Sequence, residues 1–172
     1  MVWRINSLQE LKKLARAFAK KAARRAAKRR GALVIGLVGD LGAGKTTFAQ
    51  AFLRSFGIRG RITSPTFILM KRYEFRGVSR FVSHGFASIF HIDCYRFKKP
   101  QELITLGFKE ILADPKNIVV IEWADRVKKI LPKNTLWLYF EHGKKENERF
   151  IKTRNYSPIP SFANASAGRR AN

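Results

Sequence analysis

Gly39-Asp40-Leu41-Gly42-Ala43-Gly44-Lys45-Thr46 has the spacing G-x-x-x-x-G-K-T, the pattern of a loop that wraps nucleotide phosphates. Its glycines let backbone N–H groups turn inward without a Cβ in the way. Lys45 is placed to reach the β- and γ-phosphates as a point charge, and the Thr46 hydroxyl to ligate Mg²⁺. Such a loop needs a carboxylate to hold the hydrated metal. Ile118-Val119-Val120-Ile121-Glu122 ends an apolar run with one, so Glu122 is read as that group; the alternative is a surface carboxylate just past a strand. Asp93 follows a second apolar stretch and shares a strand face with His91. It is read as positioning water or Mg²⁺, with an ion pair to Arg96 as the alternative. Thr63-Ser64-Pro65-Thr66 occupies the place where such enzymes sense the γ-phosphate, and Thr66 can reach the metal or the attacking water; a simple connecting loop is the alternative. His91 as general base is the weaker reading, because no triad partner accompanies it. Cys94 reads as packing, Trp123 as core or a substrate contact, and no Cys/His spacing supports zinc.

These groups need strands that end beside one another and a helix that starts at the loop. Leu33 to Val38 is a continuous apolar run of the kind buried on both faces. A helix is expected from Lys45 to Phe56, stopped by Gly57 and Gly60. Strands are expected over Phe67–Phe75, Phe86–Ile92, Asn117–Ile121 and Thr135–Glu141, with Phe150–Thr153 as a last, edge strand. Pro100 opens a short helix over Gln101–Leu106, and another follows Gly107. Upstream, Leu11, Leu14, Phe18, Ala22 and Ala26 recur at helical spacing. They predict a helix from Ser7 to about Lys28, with Ser7 as N-cap and Glu10 completing a capping box. Strands alternating with helices give an α/β fold with a largely parallel sheet.

The chain has 172 residues, enough for one domain with a core of its own. Lys and Arg total 35 against 12 Asp and Glu, a net charge of +23. That excludes a neutral or acidic surface and points to polyanions. Eleven of the first thirty residues are basic, and Glu10 is the only acid before Asp40. A helix face made merely soluble usually mixes signs, so binding of RNA or a partner stands beside a solvated face as its reading. The single cysteine excludes a disulfide framework. No apolar run approaches the length of a membrane span, and the start lacks an apolar secretion segment. A cytoplasmic protein is expected, with an organellar transit peptide the weaker alternative. From Asn155 the composition turns to Ser, Pro, Ala, Asn and Gly, a tail expected to be disordered.

GDLGAGKTT at residues 39–47, Ser64-Pro65-Thr66-Phe67, His91-x-Asp93-x-Tyr95-Arg96, Pro100-Gln101-Glu102-Leu103 with Gly107, and Ile121-Glu122-Trp123 occur here in order. Together they resemble the TsaE (YjeE) family, the ATPase of bacterial tRNA threonylcarbamoyladenosine synthesis, over roughly residues 3–154. The resemblance implies a P-loop NTPase-like three-layer domain at 1–154, its basic N-terminal helix at about 7–30, and a separate tail at 155–172. It implies ATP and Mg²⁺ as cofactors, held by Gly39, Asp40, Leu41, Gly42, Ala43, Gly44, Lys45, Thr46 and Thr47. Thr46 and Glu122 match the metal ligands, Asp93 the functional aspartate and Thr66 the switch threonine. Arg149 is a looser match to a basic residue near the nucleotide, and Ser7 to Leu11 a still looser match near the adenine. The implied partner is the TsaB–TsaD pair, whose repeated turnover on adenosine 37 is supported by ATP hydrolysis. The basic helix, the long loop at 76–85 and the tail depart from the family pattern, and tRNA is the candidate ligand of the helix.

Two other functions fit the P-loop alone. A small-metabolite kinase would need an acceptor pocket and a basic lid, for which Arg72 to Arg80 is the candidate. A nucleotide-gated RNA-binding module would bind RNA in response to ATP without turnover. With no arginine evident close to the loop, the isolated chain is expected to be a weak ATPase, stimulated by a partner.

Overall fold

A computed structural model describes residues 1–24, 30–75 and 85–154. In chain order its elements are β1 (Val2–Ile5), α1 (Leu8–Arg24), β2 (Leu33–Gly39), α2 (Lys45–Ser55), β3 (Met70–Glu74), β4 (Ser88–Asp93), α3 (Gln101–Ile104), α4 (Phe108–Ala113), β5 (Asn117–Glu122), a 3₁₀ helix (Ala124–Ile130), β6 (Leu136–His142) and β7 (Arg149–Arg154). The strands form one seven-stranded sheet in the order β1-β7-β6-β2-β5-β4-β3. The apolar runs of β2, β4 and β5 are almost wholly buried and lie in the parallel centre, where β2 pairs with β5 and β6, and β5 with β4. The flanking pairs β3–β4, β6–β7 and β7–β1 are antiparallel.

Helices cover both faces of this sheet. On one side α1 and α2 bury Leu14, Phe18, Phe48, Phe52 and Phe56 with Leu37, Leu138 and Phe140. On the other, α3, α4 and the 3₁₀ helix bury Leu103, Phe108 and Val127 with Phe90, Ile92 and Ile121. Each fully buried Phe stabilises the fold by roughly 1.5–3 kcal/mol. The result is the three-layer, P-loop NTPase-like α/β architecture read from the sequence, with a parallel sheet centre.

Helix α1 begins as expected. The Glu10 N–H donates to Ser7 Oγ at 3.2 Å, and the Glu10 carboxylate accepts from the Asn6 N–H at 2.7 Å. Leu11, Leu14, Phe18 and Ala22 are buried, while Lys13, Arg16, Lys20 and Arg24 face solvent. The expected continuation past Arg24 crosses residues outside the description, and Arg30 lies in a bend rather than in the helix.

Two expectations change. Residues 150–153 are not an edge: β7 is interior, because Val2–Ile5 adds an outer strand that pairs Trp3 with Ile151. That strand buries only Trp3 and Ile5, too short an alternation to register beside a strong helix signal. The strand expected from Phe67 starts at Met70, because the Pro65 carbonyl accepts from the Ile68 and Leu69 N–H groups at 3.0 and 2.6 Å, closing a turn. Most of the loop expected at 76–85, and the tail expected from Asn155, lie outside the described residues.

Candidate nucleotide and metal site

Strand β2 delivers the phosphate loop to the end of the sheet. Gly39 has φ 145°, and a Cβ there would sit 2.3 Å from the Phe140 carbonyl oxygen, so only glycine lets β2 pass β6 and turn. Gly44, at φ 101°, caps α2 with no side-chain hydrogen bond, and the first turn of α2 carries no acid. No side chain of the helix's own segment therefore caps its first N–H groups, and an uncapped helix start is an arrangement that binds phosphate.

Lys45 is 4% exposed. Its ammonium donates to the Gly39 and Asp40 carbonyls at 2.6 and 2.7 Å and lies 3.9 Å above the Trp123 ring centroid. Burial lowers its pKa; Glu122, Asp93, Asp40 and Asp125 oppose that shift through their charge. Trp123 holds its place under the ammonium through a left-handed backbone, φ 56°. For a bulky residue that conformation costs about 1–3 kcal/mol, and it turns the chain sharply after Glu122.

The carboxylates come from neighbouring parallel strands, where Asp93 of β4 is in register with Glu122 of β5. Glu122 is 2% exposed. One of its oxygens lies 2.6 Å from Thr46 Oγ1 and the other 2.8 Å from His91 Nε2. An ionised carboxylate only accepts, so the hydroxyl and the imidazole Nε2 then both donate. The His91 Nδ1 is buried without a hydrogen-bond partner. His91 thus holds Glu122 in place rather than facing the phosphate loop. Asp93 accepts from Thr66 Oγ1 at 2.5 Å, Ser64 Oγ at 3.3 Å and the Tyr95 N–H at 2.8 Å. The alternative pairing of Asp93 with Arg96 does not occur; the Arg96 guanidinium lies 6.0 Å from the Phe67 ring instead.

Leu41, Gly42, Gly44, Lys45, Thr46, Thr47, Thr66, Asp93, Tyr95, Glu122 and Trp123 line a cavity of about 260 Å³. Gly39, Asp40 and Ala43 of the same loop are not in its lining; the Ala43 N–H donates to the Asp40 carbonyl at 3.3 Å. Arg149 is beside Gly44, its Cδ 3.8 Å from where a Cβ would lie, but its guanidinium donates to the Glu146 and Glu148 carbonyls and it does not line the cavity. Among the described residues no group of three His, Cys, Asp or Glu could hold a metal. The Thr46 hydroxyl and Glu122 carboxylate are a small set of hard oxygen donors. That set fits Mg²⁺, which retains waters and takes one or two protein ligands alongside substrate phosphates. Cys94 is fully buried, and burial pushes its thiol pKa up, as expected of packing.

Sequence reading missed the Lys45–Trp123 stack, the His142 ring nitrogen 3.1 Å from the Leu41 carbonyl, and Arg126. The Arg126 guanidinium lies 5.5 and 5.8 Å from the Tyr95 and Trp123 rings. None belongs to the phosphate-loop pattern, so spacing alone gave no signal for them. Leu41 and Tyr95, which line the cavity, are exposed, as are Phe67 and Ile68, which follow the cavity-lining Thr66 in the chain.

The pattern of the family described as threonylcarbamoyl adenosine biosynthesis protein TsaE matches residues 5–151. Among curated proteins, TsaE of Haemophilus influenzae is 36% identical over 101 residues, 59% of this chain and 58% of that protein. TsaE of Rickettsia conorii is 38% identical over 128 residues, 74% of this chain and 63% of that protein. The matched residues thus span less than two thirds of either relative. The crystal structure of Bacillus subtilis YdiB superposes with a TM-score of 0.63 at 30% identity, covering 88% of this chain and 82% of that one.

Proposed function

The chain belongs to the TsaE family, and from that premise we propose that it is a Mg²⁺-dependent ATPase serving tRNA threonylcarbamoyladenosine synthesis. The observation that carries this reading is the 2.6 Å contact between Thr46 Oγ1 and Glu122, beside the uncapped start of α2 and the buried ammonium of Lys45. Thr46 and Glu122 would hold Mg²⁺ there, and the metal would supply positive charge against the charge developing on the γ-phosphoryl group. The protein's part is positional. Lys45 exchanges its carbonyl partners for phosphate oxygens. Thr46 and Glu122 hold the metal's water shell, and His91 fixes the Glu122 carboxylate. Asp93 and Thr66, already hydrogen-bonded, orient the attacking water.

Among the described residues no arginine lines the cavity, so in this reading a partner supplies the cation that stabilises the outer face of the transition state. The exposed Leu41, Phe67 and Ile68 offer a docking rim through which a partner can complete the site. We assign that partner to the TsaB–TsaD pair. No helix among the described residues is long and apolar enough to cross a membrane, in keeping with work in the cytoplasm.

Phosphate release from ATP·Mg²⁺ tests the reading, measured for the chain alone and with TsaB–TsaD. Slow release alone, accelerated by the pair and lost in Glu122→Gln, is expected. Rapid release by the chain alone, or phosphate appearing on a metabolite, would overturn it in favour of an autonomous ATPase or a kinase.

A further inference from the structure

Lys12, Arg16, Lys20 and Arg24 recur every fourth residue along α1 and so lie on one helix face. Each step advances about 6 Å along the axis. Facing them from α2 is Arg54, and the five cations line a groove of about 940 Å³ between the two helices. Its floor is made by Ala19, Ala23 and Ala51, whose short side chains leave the space open. None of the five cations has an ion-pair partner among the described residues. Like charges at this spacing repel one another along the helix, and no acid in the groove relieves them.

We propose that this groove binds the phosphate backbone of an RNA strand. A regular row of cations spaced at a few ångströms suits a strand that carries one phosphate per nucleotide. The floor has alanines where a protein interface would carry aromatic or leucine anchors. A membrane surface would need the apolar face of α1, and Leu11, Leu14 and Phe18 of that face are buried in the core. Thr47 lines both this groove and the phosphate cavity, so RNA lying in the groove ends beside the nucleotide.

The test is fluorescence anisotropy of a labelled, unmodified tRNA transcript between 50 and 200 mM salt. The choice of tRNA rests on the proposed function. The variants are Lys12→Gln/Arg16→Gln/Lys20→Gln/Arg24→Gln and, as a control on the opposite layer, Lys98→Gln/Lys99→Gln/Lys109→Gln/Lys128→Gln. Each strand phosphate contact contributes about 0.7 to the log–log salt slope. Loss of four contacts should therefore flatten the slope by about 3, shrinking the salt-induced loss of affinity roughly 50-fold. The control should keep the parent's slope, and ATP binding by calorimetry should survive in both. The proposal is overturned if the two variants flatten the slope equally, if neither does, or if the groove variant loses TsaB–TsaD binding while keeping the parent's tRNA slope. Failure of the parent to bind ATP would sink the proposed ATPase and leave the groove result standing.

Discussion

Replacing Lys45 by Met separates what the ammonium does for phosphate from what it does for the empty loop. In the free protein Lys45 already donates to Gly39 and Asp40 and lies over Trp123. ATP therefore gains only the exchange of a neutral acceptor for an anionic one, about one charge-assisted hydrogen bond, or about 1.5–3 kcal/mol. That loss corresponds to roughly 10- to 150-fold weaker binding. Met keeps the volume and a thioether over the indole, and a thermal melt establishes that the variant is folded. The same lysine sets a pH dependence. Burial lowers its pKa below 10.5 in the free protein, and bound phosphates raise it. The bound state therefore holds more protons in the alkaline range, and affinity must fall as pH rises through the free-state pKa. Calorimetry of ATP·Mg²⁺ binding in buffers of different ionisation enthalpy reads both effects, with proton uptake expected for the parent and none for Lys45→Met at alkaline pH. A variant that binds within twofold of the parent would refute the placement of Lys45 on the phosphates.

Phe48→Ala should cost about 3–5 kcal/mol of unfolding free energy in a urea melt, because Phe48 is fully buried and meets Phe18 and Phe140 edge-on at 5.8 and 5.7 Å. Gly39→Ala should lose ATP binding, read by calorimetry, and melt at a lower temperature, since its Cβ would strike the Phe140 carbonyl. Glu148 ties β1 to the β6–β7 turn through the Lys144 N–H and Arg4, and these hold its pKa below 4.5. Its stabilisation is then present above pH 4.5 and lost as pH falls through that lowered value. Thermal melts of parent and Glu148→Gln should differ at pH 7 and converge in acid.

The phosphate loop, Thr46, Glu122, Asp93 and Thr66 were legible in the sequence because each sits at a strand end or loop whose position follows from local pattern. Leu33–Val38 and Ile118–Ile121 are short apolar runs with the pattern of strands buried on both faces, and parallel neighbours place their C-terminal ends together. What sequence did not reveal depends on non-local register. Val2–Ile5 becomes a strand only because β7 offers it an edge, and no property of four residues announces that. His91 looked like a weak general base; the β4–β5 register carries it to Glu122 instead. The basic residues of α1 were visible as charge, but the choice of Lys12, Arg16, Lys20 and Arg24 as one groove wall needed α2 opposite them.

The central claim is that ATP hydrolysis at the Thr46–Glu122 site sustains tRNA modification. It is tested most directly by the threonylcarbamoyladenosine formed per TsaB–TsaD pair when tRNA, threonine, bicarbonate and ATP are in excess. With the parent chain the yield should exceed one modified tRNA per pair and keep rising with time; with Glu122→Gln, or with no chain added, it should stop near one. Repeated turnover that is equal in all three reactions would contradict the account.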